Sequence, residues 1–247
     1  MAKRMGSSNP VFSNAAVERV KENVSSTETM TVNGSLTKTA FLLALVIGFA
    51  TYTWSICSVN PERALSLVIG ASVIAFITVL IIIFKKPSPV LASVYAIAEG
   101  IVLGGISFLF NFSYQGIVLQ AITITIAITL AMLVMYKTGI IKATQKFKSA
   151  VILATVGVLF FYLITFIVGL FSSSFFALVT TGTTGVVFAG IIVLIAALNL
   201  ILDFDFIEQG AKNKLSKDFE WFAAFGLMVT LVWLYISILR MLFASRS

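Results

Sequence analysis

The chain has 247 residues, 59% of them apolar and 11% charged, against the roughly 25% charged residues of a soluble domain; with a mean hydropathy of +1.05, lipid must solvate much of its exterior. One cysteine, Cys57, and no histidine exclude an intramolecular disulfide and leave no zinc, haem or iron–sulfur ligand set, so no cofactor is expected. The net charge of +7 is spread over short loops rather than gathered on one basic face, which points to membrane orientation and away from nucleic acid.

Residues 1–38 are polar, rich in Ser, Thr and Asn with Lys, Arg and Glu interspersed, a composition that predicts a disordered cytosolic arm. A polar segment of that length ahead of the first apolar run is unlike a secretory leader, so no cleaved leader is expected. Seven apolar stretches follow at 39–59, 64–84, 88–112, 116–136, 150–172, 183–207 and 220–243. Each is long enough for the roughly 30 Å hydrocarbon core, which takes about 20 helical residues. The connections are short, so residues 39–243 should form one all-α, seven-helix polytopic bundle with antiparallel neighbours. Pro87 and Pro89 open the third span, where a missing N–H costs little, and no proline lies inside a span. Broken half-helices and internal repeats of the transporter kind are therefore not signalled.

Lys and Arg close to the membrane are retained on the cytosolic side. Lys3, Arg4, Arg19, Lys21 and Lys38 in the arm, Lys85 and Lys86 between spans 2 and 3, Lys137, Lys142, Lys146 and Lys148 between spans 4 and 5, and Lys212, Lys214 and Lys217 between spans 6 and 7 make 14 on one side. Arg63, Arg240 and Arg246 make 3 on the other. The N-terminus is thus expected in the cytosol and the C-terminus outside, in a cell membrane.

Span 3 carries Ala92, Ala96, Gly100 and Gly104 at four-residue spacing, a small-residue stripe on which another helix can pack closely. Glu99 lies near the middle of the same span, where a carboxylate costs at least about 2.5 kcal/mol. Two readings follow: an ion path or proton relay, or a protonated side chain acting as glue between helices. Span 6 ends Asn199-Leu-Ile-Leu-Asp203-Phe-Asp205-Phe-Ile-Glu208. Helical spacing puts Asp203 on a small, polar stripe with Ala196 and Asn199, and Asp205 on another with Leu202 and Glu208. Asp203 is accordingly expected in the interior and Asp205 at the headgroup layer. Acids at a helix C-terminus oppose its dipole, and this pair could alternatively just mark the helix end.

In span 4, Gln120 and Thr123 share one face while Thr125 and Thr129 share another, which favours hydroxyls bonded back to their own helix over a wet path. Trp221, Trp233, Tyr162 and Tyr235 are expected to serve as packing or belt residues, and Arg240 suits the end of a helix for dipole reasons. Without histidine the Ser-His arrangement cannot be built, and no phosphate loop or metal-ligand motif is present; the chain is not expected to be an enzyme.

With seven spans, the Ala-Glu-Gly-Ile-Val-Leu-Gly segment at 98–104 and the Leu-Asp-Phe-Asp-Phe-Ile end of span 6 at 202–207, the chain resembles the transmembrane Bax-inhibitor motif family, in its bacterial branch, over residues 39–243. The resemblance implies a last helix enclosed by the other six. It also implies a pH-sensitive calcium leak governed by two aspartates, one at the end of span 6, matched by Asp203, and one in span 7. The second is missing here: residues 221–243 hold no Asp or Glu, and an uncharged residue near Thr230 stands at the corresponding depth. Glu220 opens span 7 and is its nearest acid, while Glu99 could supply a second carboxylate from a position roughly 10 Å deeper than Asp203 at 1.5 Å per residue. Expected partners are the bilayer, a hard cation such as calcium, for which oxygen ligands are suited, and, in the alternative reading, another membrane protein. That alternative is a non-conducting partner in membrane-protein quality control, as the family also implies.

Overall fold

The computed structural model describes residues 28–84, 88–171 and 181–246. Among them are seven helices and no strand: α1 Val32–Val59, α2 Pro61–Phe84, α3 Pro89–Ser113, α4 Ile117–Lys137, α5 Gln145–Phe171, α6 Gly182–Lys212 and α7 Phe219–Ala244. All seven are long and apolar enough to cross a membrane, so the seven-helix expectation holds. Prolines open α2 and α3 at the position where an N–H has no intrahelical acceptor. Ser88 caps α3 by accepting a hydrogen bond from the Leu91 N–H at 3.2 Å; Pro87 lies outside the described residues. Between α3 and α4 the chain turns at Gly116, whose φ of 81° suits glycine far better than a residue with a Cβ.

Three helices overrun the spans read from the sequence, for one reason. Hydropathy marks only the stretch that matches the hydrocarbon, whereas a helix continues while its polar ends find partners. α5 starts at Gln145 rather than 150, and α6 runs on to Lys212 rather than 207. With 31 residues, α6 is roughly 46 Å long at 1.5 Å per residue. α1 starts at Val32, which corrects the boundary set at residue 38: its last seven residues are helical, and Thr31 caps the helix by accepting from the Gly34 N–H at 3.0 Å. The expected arm over residues 1–27 lies outside the described residues.

The described residues fall into two compact units. The first comprises 28–113 and Phe206–Met228. Within it α1, α2 and α3 pack against one another. Ala92, Ala96, Gly100 and Gly104 are all buried, and Gly100 and Gly104 lie against the α1 backbone. A Cβ on them would stand 2.5 Å from the Val46 carbonyl oxygen and 2.3 Å from that of Ala50. On the α2 side, Ala71 and Ala75 meet Ala98, flanked by Tyr95, Ile101 and Val102. The second unit comprises Tyr114–Asp205 and 229–246, built from α4, α5, the main length of α6 and the second part of α7. α7 is the most buried helix, at 72% of its most apolar window, whereas α5 has 17% and bears Leu153, Leu159 and Phe166 on the surface.

Candidate functional site

The end of α6 separates its two aspartates. Asp203 is 1% exposed, and neither of its carboxylate oxygens has a hydrogen-bond partner of ordinary length. Thr230 of α7, 3% exposed, is the side chain whose hydroxyl bears on it. An acid buried in this way with one weak donor is costly. One turn earlier, Asn199 is 2% exposed. Its amide donates to the Thr155 hydroxyl at 2.9 Å and to the Ile195 carbonyl at 2.8 Å, so it joins α6 to α5. Thr155 in turn donates to the Val151 carbonyl of its own helix.

Asp205 is more exposed than Asp203, as the face argument requires, yet at 7% it too is buried within the protein. Its burial has a clear cause. Lys148, in the first turn of α5, forms an ion pair with Asp205, and the Tyr136 hydroxyl at the end of α4 donates to the same carboxylate at 3.4 Å. Charge compensation by two neighbouring helices lets the acid stay inside. In the sequence Lys148 counts only as a loop charge. The missed signal was its place: a cation in the first turn of a helix opposes the dipole and calls for an acid.

Glu220, at the start of α7, is 2% exposed and fully engaged. Its Oε1 accepts from the Thr31 N–H at 2.8 Å and from the Thr31 hydroxyl at 2.9 Å, while its Oε2 accepts from Lys38 at 2.7 Å. The carboxylate thus sits at the N-terminus of α1, where the helix dipole favours an anion. Gly34 makes room for it, since a Cβ there would meet the carboxyl at 2.3 Å. Just ahead, Met30 donates its N–H to the Leu215 carbonyl at 2.6 Å, and Glu28 pairs with Lys217. Sequence reasoning placed Lys38 in the arm and missed this cluster.

Glu99 is half-buried in the first unit, with the Tyr95 hydroxyl one turn before it as its neighbour. The Tyr95 ring meets Phe225 edge-on at 5.0 Å. In α4, Thr123, Thr125 and Thr129 donate to the carbonyls four residues back, which is the self-satisfied pattern expected of them. Trp221 packs edge-on against Phe41 at 6.2 Å, beneath the Lys38 ammonium. Among the described residues no three acidic or thiol side chains converge.

The family described as Bax inhibitor 1 like matches residues 9–247. Comparison with curated proteins gives no match. The match takes in all seven apolar helices, the Glu99 segment and the aspartates of α6, so this chain, an integral multi-pass membrane protein, belongs to the Bax inhibitor 1 like family.

Proposed function

We infer that the protein is a pH-sensitive leak for a small cation, with calcium as the favoured ion, and that it is not an enzyme. The observation that carries this reading is Asp203: an acid at 1% exposure on which only the Thr230 hydroxyl bears, with no hydrogen bond of ordinary length to either oxygen. Glue would be hydrogen-bonded, as Asn199 is; a side chain kept at this cost without a bond is available to a cation or a proton. Thr230 in place of a second acid leaves Asp203 as a single-carboxylate switch, and Glu99 is a second proton-sensing acid, within its own unit. The excess of Lys and Arg in one set of loops supports an N-terminus in the cytosol and a C-terminus outside a cell membrane.

The sign of the pH response follows from charge. A protonated carboxyl offers nothing to an incoming cation and a carboxylate does, so flux rises as pH rises through the titration of the site. Calcium flux into liposomes holding the purified protein, followed across pH, is the test. Asp203→Asn should lower the flux severalfold and flatten its pH response. Glu99→Gln should act in the same direction, since the amide fills nearly the same volume and still hydrogen-bonds. Wild-type flux with an unchanged pH response in Asp203→Asn refutes the switch. Absence of flux from the wild type itself returns the protein to the role of a non-conducting membrane partner.

A further inference from the structure

The second unit contains a cavity of about 40 Å³ that none of the acids above enters. α5, α6 and α7 line it with Tyr162, Thr165, Phe188, Ile192, Ser237 and Arg240. These residues lie toward the end of α5, the start of α6 and the end of α7. Arg240 is only four residues short of Ala244, roughly 6 Å from the end of its helix. The cavity therefore sits toward the helix ends remote from the lysine-rich loops.

Two of its polar groups lack hydrogen-bond partners among the described residues. Thr165 is 6% exposed, and its hydroxyl has no hydrogen bond. Most buried helix hydroxyls here are bonded: Ser237, on the opposite wall, donates to the Trp233 carbonyl at 2.7 Å. Arg240 stands 5.2 Å over the Tyr162 ring, and no acceptor for its guanidinium is found among the described residues. The comparison at the same end is Arg246, which donates to the Gln120 side chain at 2.6 Å and lies over Tyr114. Stacking on one face of a guanidinium leaves its edge N–H groups to donate, and a planar fork of donors fits phosphate.

The lining contains no acidic side chain, so a headgroup ammonium would have no counter-charge while a net negative headgroup would. At about 10–15 Å³ for each water-sized group, the cavity has room for roughly three, the size of a phosphate's free oxygens. Around it, Phe160, Ile164, Val187 and Ile191 are exposed, an apolar surface along which acyl chains can lie. We propose that this cavity holds the phosphate of one anionic phospholipid, with Arg240 and Thr165 donating to its oxygens and the acyl chains on the neighbouring faces of α5 and α6.

The test is native mass spectrometry of the full chain released from detergent, with phosphatidylglycerol or phosphatidylcholine added. The wild type should retain one phosphatidylglycerol about tenfold more strongly than phosphatidylcholine. Arg240→Gln should abolish that preference, Thr165→Val should weaken it severalfold, and Arg240→Lys should retain part of it because the charge remains without the fork. Arg246→Gln should leave it unchanged. Wild-type retention by Arg240→Gln, or an equal loss in Arg246→Gln, overturns the site in favour of diffuse surface charge. Complete displacement by millimolar glycerol phosphate overturns the lipid and leaves a site for a small free anion. If Arg240→Gln does not fold, Thr165→Val and Arg240→Lys carry the test, and wild-type preference in both refutes the proposal.

Discussion

Asp203 and Asp205 are two residues apart on one helix and carry the same side chain, yet they live in opposite circumstances. Two steps along a helix rotate a side chain by about 200°. That turn delivers Asp205 to Lys148 and Tyr136, and Asp203 to Thr230 and no full hydrogen bond. The difference teaches that depth alone does not assign a role to a membrane acid. A buried carboxylate answered by a cation holds helices together, and one left unanswered is held in place by the rest of the fold.

The contrast breaks most visibly at Lys148. Lys148→Met leaves Asp205 buried without its cation, and should cost about 3 kcal/mol, read as a large fall in melting temperature in detergent. Lys148→Met combined with Asp205→Asn should recover most of the loss, because the uncompensated charge is gone. A single Lys148→Met protein that melts like the wild type would remove the distinction between the two aspartates.

Next comes Asp205→Asn against Asp203→Asn. The first should lose about 1.5–3 kcal/mol, the worth of a charged hydrogen bond, and keep the pH response of flux. The second should melt no lower than the wild type, since it gives up no hydrogen bond of ordinary length and relieves a buried acid, while its pH response flattens. Destabilisation by Asp203→Asn with normal flux would reverse the assignment.

Glu220→Gln sharpens the comparison from another helix. It keeps an oxygen for Thr31 but loses the charge opposite Lys38, so a loss of about 1 kcal/mol is expected, with the pH response of flux unchanged. A flattened response would bring Glu220 into the path. The smallest effect belongs to Lys217→Ala. Glu28 beside it holds the Lys217 ammonium above its usual range, so the pairing is complete at neutral pH and is lost only as pH rises through that raised value. Both partners are open to water, where such a pair contributes little. Melting temperatures of this variant and the wild type should agree from about pH 6 to 9, below the usual lysine range.

The sequence by itself determined the seven spans, their short connections and the small-residue face of α3, because hydrocarbon length and the 3.6-residue repeat are local quantities. It also ordered the aspartates correctly: Ala196, Asn199 and Asp203 share a face at any helical geometry, and Asp205 does not. What answers each charge was not legible. Lys148 lies 57 residues from Asp205, Lys38 lies 182 from Glu220 and Thr31 lies 189 from it, so only packing could introduce them. The start of α1 at Val32 belongs with these, since the Glu220 carboxylate that receives its first turn comes from the far end of the chain. The Arg240 cavity does too: Tyr162, Thr165 and Phe188 reach it from two other helices, and no spacing along one helix records a space left between three.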